Sequence, residues 1–233
     1  MTRQIIAIGG HGMNTLYQEN LKLHQYILKA SKKQNPKIAF LGTATGDESS
    51  YISSFYSSFS SLDCKPSHLS LFEINQLDYK EYLLSQDIIY VGGGNTFNML
   101  KIWEGWKIDK LLKTCYQKGI ILAGSSAGSI CWFLSGNSDS FSQLELYPIK
   151  ALGFLPYSHS PHYDGEKTRR KNYQNLIKKG DLEDGWAMDN YAGIHFIDEK
   201  PYKKFSSKEG SKVYFVEKKA TEVVETELEV EIL

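Results

Sequence analysis

The sequence lacks an excess of charge of either sign. Its 233 residues contain 27 lysines and arginines against 27 aspartates and glutamates, so the formal net charge is zero. Without a net positive field, the chain has little to attract nucleic acid or an anionic membrane surface. No apolar run approaches the about 20 residues that a membrane helix needs, and the N-terminal MTRQIIAIGG is typical of a short strand rather than a signal peptide. We therefore expect neither a nucleic-acid partner nor a membrane segment.

Cysteine is also scarce. The three cysteines, Cys64, Cys115 and Cys131, form an odd set without the paired spacing of a metal site. They indicate reduced thiols in a reducing compartment, which predicts a cytoplasmic protein. We expect no metal ion and no organic cofactor.

The apolar residues are arranged as alternating strands and helices. Hydrophobic residues make up 41% of the chain, enough for one sizeable core, and we expect residues 1–233 to form a single domain. Short apolar runs separated by longer amphipathic stretches indicate an α/β fold with a parallel sheet. The predicted strands are Gln4–Ile8, Lys37–Leu41, His68–Phe72, Asp87–Val91 and Gly119–Ala123.

Two further segments have a clear period. The serine-rich YISSFYSSFSSL could be mistaken for a linker, but Tyr51, Phe55, Phe59 and Leu62 recur at helical spacing and predict a packed helix. From Glu217 onward, valine, leucine and isoleucine alternate with glutamate, which predicts a half-exposed terminal strand or hairpin. That tail could form an edge strand or a subunit contact.

The segment Gly119–Phe133, GIILAGSSAGSICWF, combines a buried strand, a sharp glycine-rich turn and a helix start. This is the pattern of a nucleophile elbow, in which a strained turn holds a serine hydroxyl clear of the backbone. Gly124 and Gly128 flank the central position, which makes Ser126 the candidate nucleophile. The plainer alternative is a Gly-Ser-Ala-Gly helix cap.

A second strand-loop-helix unit precedes the elbow at Asp87–Leu100, DIIYVGGGNTFNML. Loops at the carboxyl ends of adjacent parallel strands face one crevice, so Gly92–Gly94 is expected beside Ser126. A nucleotide site is disfavoured because no Gly-Lys-Ser/Thr follows and the Gly-x-Gly-x-x-Gly spacing is missing. The remaining alternatives are a tight turn and an oxyanion hole.

If the glycine loop forms an oxyanion hole, its backbone amides stabilise the charge that develops on a substrate carbonyl. One donor would come from the glycine loop, at Gly93 or Gly94, and the other from Ala127, which follows the nucleophile. Asn95 and Thr96 would cap the helix after the loop, and Asn95 is also a candidate substrate contact.

A serine nucleophile needs a general base, and the best candidate is His162. It lies in LPYSHSPHYDGEKTRR, where prolines and a glycine break regular structure and predict a functional loop. His159 is a close rival, and His11, at the end of the first strand, is a weaker one. The other histidines, His24, His68 and His195, lie in helical or strand-like patterns.

Taken together, these motifs resemble peptidase family S51, which includes aspartyl dipeptidases and cyanophycinases. The resemblance rests on GGGNT at Gly92–Thr96, AGSSAG at Ala123–Gly128, Pro-His-Tyr at Pro161–Tyr163 and Thr168-Arg169. It covers roughly residues 1 to 200, and the order of the motifs is more specific than any one of them.

The resemblance implies a three-layer α/β/α sandwich with a mostly parallel sheet, similar to the class I glutamine amidotransferase domain, with serine in place of cysteine. It further implies that Ser126 is the nucleophile and His162 the general base. The third catalytic member would come last in the chain, unlike the Ser-Asp-His order of α/β-hydrolases.

That third member is left open by the sequence. The family has an acidic pair at the end of a later strand, whereas this chain has Asp189 followed by Asn190. An aspartate would orient the imidazole and stabilise its charged form, whereas an asparagine would only orient it. Asp164, two residues from His162, is a further candidate, and a plain strand-end turn is the structural alternative.

Substrate recognition is predicted from the basic run Lys167, Arg169, Arg170 and Lys171, which could equally be a solvated helix face. The resemblance implies that Arg169 binds the side-chain carboxylate of an N-terminal aspartate, since arginine binds carboxylates with two parallel hydrogen bonds. We expect a small-peptide substrate and a monomer or homodimer. Alternatives are a cyanophycin-like isopeptide substrate, an esterase or amidase activity, and a catalytically silent binding protein.

Overall fold

A computed structural model describes residues 2–73, 78–142, 145–165 and 168–233. Within them the helices are α1 (Gln18–Ala30), α2 (Ser49–Phe59), α3 (Tyr79–Leu84), α4 (Thr96–Trp106), α5 (Ile108–Gln117), α6 (Ala127–Ile130) and α7 (Arg169–Lys179). The strands are β1 (Gln4–Ile8), β2 (Lys37–Leu41), β3 (Lys65–Leu69), β4 (Ile88–Val91), β5 (Ile121–Ser125), β6 (Phe133–Ser138), β7 (Tyr147–Lys150), β8 (Leu155–Ser160), β9 (Gly185–Met188), β10 (Ala192–Ile197), β11 (Lys200–Ser206), β12 (Val213–Lys219), β13 (Glu222–Leu228) and β14 (Glu231–Ile232). None of the helices in these ranges has both the length and the apolar character needed to cross a bilayer.

The larger sheet has the strand order β14-β11-β10-β1-β5-β4-β2-β3 among the described residues. Strands β1, β5, β4, β2 and β3 are parallel to one another, whereas β10 runs antiparallel to both β1 and β11. The predicted α/β class with a mostly parallel sheet is therefore confirmed. The carboxyl ends of β1, β4 and β5 meet at one edge, where open sheets of this kind form their ligand crevice.

Alternating side chains of β1 enter separate cores on the two faces of this sheet. Ile6 and Ile8 pack with α1 and α2, whereas Ile5 and Ala7 lie in the cluster that contains residues of α3, α4 and α5. These are the layers of the predicted sandwich. The cluster that contains Ile5 and Ala7 also includes Trp186 and Met188 of β9. A further sheet therefore covers part of that face of the larger sheet.

Apart from its C-terminal hairpin, this second sheet, with the order β13-β12-β9-β8-β6-β7, was not predicted from the sequence. Strands β6 and β8 mix serine, asparagine and histidine with their apolar residues, so no regular apolar pattern marks them. Helix α7 packs on it through Tyr173 and Ile177, which belong to a third core together with Tyr214 and Val216 of β12. The predicted C-terminal hairpin is confirmed as β12 and β13, with β13 at the sheet edge.

The predicted helix in the serine-rich segment is confirmed as α2, and its Phe55 and Phe59 are fully buried. The prediction of a strand over His68–Phe72 was wrong in position, because β3 is Lys65–Leu69. Strand β3 is an edge strand, which tolerates Pro66 although proline cannot donate to a sheet ladder.

Candidate active site

Ser126 occupies a strained turn between β5 and α6. Its backbone has φ 58° and ψ −118°, a conformation that non-glycine residues rarely adopt. A Cβ atom on Gly124 would lie 2.1 Å from the carbonyl oxygen of Gly128, and one on Gly128 would lie 2.1 Å from that of Val91. Only glycine fits at these two positions, so the sequence Gly-x-Ser-x-Gly is required by the packing of the turn. The geometry is that of a nucleophile elbow.

His162 lies directly beside Ser126. The imidazole Nε2 is 2.8 Å from Ser126 Oγ, and Nδ1 is 2.7 Å from Asn190 Oδ1. The histidine has a left-handed backbone, with φ 51°, and its amide donates to the carbonyl of Gly9 at 3.2 Å. The loop after β8 is thereby tied to the end of β1, which brings the imidazole to the serine.

The hydrogen bonds between Asn190 and Asp164 determine which ring nitrogen of His162 carries a proton. Asn190 donates its backbone amide and its side-chain Nδ2 to Asp164 Oδ1, at 2.8 and 3.0 Å. A carboxylate only accepts, so Nδ2 must face Asp164 and Oδ1 must face His162. His162 Nδ1 then carries the proton, which leaves Nε2 free to accept the proton of Ser126 Oγ.

Of the candidates that the sequence left open for the third member, Asp189 makes no hydrogen bond with His162 among the described residues, and Asn190 is the one that contacts the imidazole. Its Oδ2 accepts from the backbone amide of Lys212 at 2.9 Å. Burial raises the pKa of Asp189 to about 6. Strand β9 ends at Met188, and Asn190 lies in the turn that follows, where its side chain reaches His162.

The rival histidines have other partners. His159 is fully buried, with Nε2 2.9 Å from Ser129 Oγ and Nδ1 2.9 Å from the carbonyl oxygen of Trp186, so both ring nitrogens are occupied. His11 Nε2 lies 3.2 Å from Nε2 of His24. Neither hydrogen-bonds to Ser126 in the described structure.

The glycine loop packs against the serine from the end of β4. A Cβ atom on Gly93 would lie 3.2 Å from Ser126 Cβ, and the Gly93 amide donates to the hydroxyl of Tyr51 at 3.1 Å. Within the described residues, the backbone amides of Gly94 and Ala127 have no hydrogen-bond partner. Of the amides predicted for an oxyanion hole, that of Gly93 is therefore occupied by Tyr51, and Gly94 borders the same cavity as Ser126.

A polar cavity of about 750 Å³ opens over the serine. It is lined by Gly94, Asn95, Thr96, Ser126, Ile130, Asp139, Ser140, Phe141, Ser142, Pro161, His162, Gly165, Arg169 and Asn190. The volume is in the range of small-molecule sites. Asp139 and Arg169 supply opposite charges to one wall.

Arg169 is only 2% exposed, although the basic run of which it is part could have been a solvated face. Its Nη1 donates to the carbonyl of Asn137 at 3.4 Å, and its Nη2 lies 4.0 Å from Asp139 Oδ2. By contrast, Arg170 is exposed and pairs with Glu225. Lys167 lies outside the described residues. The pattern of the basic run alone could not show that Arg169 is buried and Arg170 exposed.

Asn95 joins two parts of the cavity wall. Its Oδ1 caps α4 by accepting from the Asn98 amide at 2.9 Å, and its Nδ2 donates to the carbonyl of Ser140 at 2.9 Å. The predicted cap is confirmed. The same side chain fixes the loop after β6 to the start of α4, in addition to bordering the cavity.

Two residues of the site were missed by the sequence reasoning. A Cβ on Gly10 would lie 2.4 Å from His162 Nδ1 and 2.3 Å from Asn190 Oδ1, so only glycine leaves room for their hydrogen bond. The signal was the Gly9-Gly10 pair at the end of the first predicted strand. Tyr51 gave no such signal, because its helical spacing accounts for it as a core residue.

An α/β sheet that presents a serine on a strained turn to a histidine, beside a glycine loop, has the architecture of a hydrolase that acts on acyl groups. The chain belongs to peptidase family S51, whose family profile matches residues 5–203. The resemblance drawn from the motifs is therefore confirmed, and the protein is a hydrolase of a peptidase family.

Relatives agree with this assignment. The chain is 46% identical to "Uncharacterized peptidase YgaJ" of Bacillus subtilis over 231 residues, 99% of each chain. It is 32% identical to a "Probable alpha-aspartyl dipeptidase" of Drosophila melanogaster over 88 residues, 37% of each chain. A crystal structure of a putative peptidase E protein from Listeria monocytogenes has a TM-score of 0.63 at 18% identity, covering 98% of this chain and 100% of that one, so the two share a fold.

Proposed function

We propose that this protein is a serine peptidase that hydrolyses short peptides through an acyl-enzyme at Ser126. The observation that carries the proposal is the 2.8 Å contact between Ser126 Oγ and His162 Nε2 at the elbow. A nucleophile within hydrogen-bond reach of a base, itself oriented by a third group, is the arrangement needed for covalent acyl transfer.

In the proposed reaction, Ser126 Oγ attacks the scissile carbonyl while His162 Nε2 takes its proton. The amide of Ala127 and one amide of the Gly92–Gly94 loop stabilise the oxyanion. The protonated imidazole then donates to the leaving amine, so the C–N bond breaks and the acyl group stays on Ser126. Water attacks this ester with the same histidine as base, which releases the acid and restores the serine.

For the substrate, we propose peptides with an N-terminal aspartate. Arg169 brings a buried positive charge to the wall of the cavity that contains Ser126. A guanidinium in this position suits a carboxylate, which it binds with two parallel hydrogen bonds. The similarity to a probable alpha-aspartyl dipeptidase, over about a third of each chain, supports the same substrate class.

Hydrolysis of Asp-Leu and Asn-Leu by the purified protein tests the proposal. We expect the wild type to prefer Asp-Leu, Ser126→Ala to be inactive, and Ser125→Ala, which changes the buried neighbour on β5, to retain activity. Arg169→Lys keeps the charge but loses the planar fork, so we expect KM for Asp-Leu to rise by about tenfold or more, with a smaller change in kcat. Equal rates on the two peptides would refute the aspartate specificity, and an active Ser126→Ala would refute the mechanism.

A further inference from the structure

A second, smaller cavity of about 370 Å³ adjoins the catalytic cavity, and Phe141 lines both. It lies between the start of α4 and strand β7. Its apolar wall consists of Phe97, Leu100, Phe141, Pro148, Ile149, Ala151 and Leu152. The site that would carry the proposed reaction is therefore separated by one aromatic ring from a recess that apolar side chains line on one wall.

Phe141 is held in place between the two cavities. Its ring centroid is 4.7 Å from that of Phe97 and 5.9 Å from that of Tyr147, yet 55% of the residue is exposed. The neighbouring Ser140 anchors the segment, because its Oγ accepts from the Phe97 amide at 3.2 Å and its carbonyl accepts from Asn95 Nδ2. An exposed aromatic ring on an anchored backbone is a suitable contact surface for a ligand side chain.

The charges around the recess balance. Lys101 Nζ pairs with Glu104 Oε2 at 2.9 Å, and the remaining charged residues of the lining are Asp109 and Lys150. An uncharged side chain can enter without meeting an excess of either sign, whereas an acidic or basic one gains from one partner and is opposed by another. Asp109 Oδ1 is buried without a hydrogen-bond partner among the described residues, which makes a basic side chain the competing occupant.

We infer that this recess is the subsite for the leaving residue of the peptide, and that it takes an apolar side chain such as leucine or phenylalanine. The inference rests on the proposed function, in which Arg169 holds the carboxylate of the acyl residue. The residue on the other side of the scissile bond must then occupy a different wall of the cavity. Phe141 borders both the catalytic cavity and the recess, so it can contact a side chain that extends from one towards the other.

The test is a comparison of kcat/KM for Asp-Ala, Asp-Leu, Asp-Phe and Asp-Arg. For the wild type we expect kcat/KM for Asp-Leu and Asp-Phe to exceed that for Asp-Ala by about tenfold. This is the ratio expected if roughly half of the apolar surface that leucine or phenylalanine has beyond alanine is buried. In Phe141→Ala the ratio of Asp-Leu to Asp-Ala should fall towards one. Ala151→Phe fills the recess, so it should lower the values for Asp-Leu and Asp-Phe more than that for Asp-Ala.

Phe72→Ala is the matched control, because Phe72 is also 55% exposed but lines neither cavity. Its four kcat/KM values should equal those of the wild type. A wild type that hydrolyses all four peptides without preference, a preference unaffected by Phe141→Ala and Ala151→Phe, or Asp-Arg as the best substrate would overturn the subsite while leaving the proposed function intact. Failure to hydrolyse any of the peptides would instead count against the proposed function.

Discussion

Asn190 donates both its backbone amide and its side-chain amide to one oxygen of Asp164, at 2.8 and 3.0 Å. This double contact fixes the orientation of the asparagine whose Oδ1 faces His162 Nδ1. An asparagine alone offers no negative charge to an imidazolium. Asp164 places a carboxylate directly behind it, so the pair supplies orientation from one residue and charge from the other.

We expect Asp164→Ala to lower kcat by about tenfold to a hundredfold with little change in KM, because hydrogen bonds to charged groups contribute about 1.5–3 kcal/mol. Asp164 is exposed, so the melting temperature should change little. Asp164→Asn retains an acceptor for Asn190 and should lose less activity. Steady-state kinetics of the two variants, with thermal unfolding as the control, checks this; a wild-type kcat in Asp164→Ala would show that the carboxylate has no part in catalysis.

Gly10→Ala should reduce activity strongly in a folded protein. The new Cβ would lie within 2.4 Å of both His162 Nδ1 and Asn190 Oδ1, so the side chains must separate and their hydrogen bond must break. Gly105 in α4 is the matched control, because a Cβ there meets nothing within 4 Å. Gly105→Ala should keep full activity and gain about 0.5–1 kcal/mol in unfolding free energy. Equal activity of both variants would contradict the observed packing.

The sequence was sufficient to predict the α/β class, the elbow and the loop histidine, because each has a local signature. Gly124, Ser126 and Gly128 define a turn by their spacing alone, and β1 and β2 have the predicted bounds. Apart from its C-terminal hairpin, the second sheet has no such signature. The choice between Asp189 and Asn190 was also beyond sequence reasoning, since it depends on which of two adjacent side chains faces a loop 28 residues earlier in the chain.

The C-terminal hairpin is expected to stabilise the histidine loop through Glu225. Its Oε2 accepts from Tyr163 Oη at 2.6 Å, from Arg170 Nε at 3.2 Å and from Gln174 Nε2 at 2.7 Å. Glu225→Ala should lower the unfolding free energy by about 2–3 kcal/mol, since it leaves several donors unpaired. It should also lower kcat, because Tyr163 adjoins His162.

Glu222 on the same strand provides the comparison for Glu225. Its side chain is 76% exposed and its ion pair is with Lys178 at 3.4 Å. Glu222→Ala should change the unfolding free energy by less than about 0.5 kcal/mol. Urea titrations of both variants measure the difference, and equal losses would show that the Glu225 contacts do not contribute to stability.

Buried histidines should make the fold sensitive to acid. Burial lowers the pKa of His24 and His195 to about 4 and that of His159 to about 3, from an unfolded value of 6.5. Below pH 6.5 the unfolded chain binds protons that the folded chain does not, so stability falls as the pH drops from 6.5 towards 4. The slope is at most about 1.4 kcal/mol per pH unit for each histidine.

His195→Gln removes one of these groups. The variant should take up about one proton fewer on unfolding, so its unfolding free energy should depend less steeply on pH. The measurement is the urea midpoint and m-value at a series of pH values between 7 and 4.5. An identical slope in wild type and variant would mean that His195 takes up its proton equally in both states.

The most direct test of the account is covalent labelling with a fluorophosphonate probe, followed by tandem mass spectrometry of the tryptic peptide that spans residues 119–150. An activated serine reacts with such a probe, whereas an ordinary hydroxyl does not. We predict a single adduct on Ser126, formed at full rate in Ser125→Ala, much more slowly in His162→Ala and not at all in Ser126→Ala. An adduct on Ser125 or Ser129, or peptide hydrolysis by a protein that the probe never labels, would contradict the assignment of Ser126 as the nucleophile.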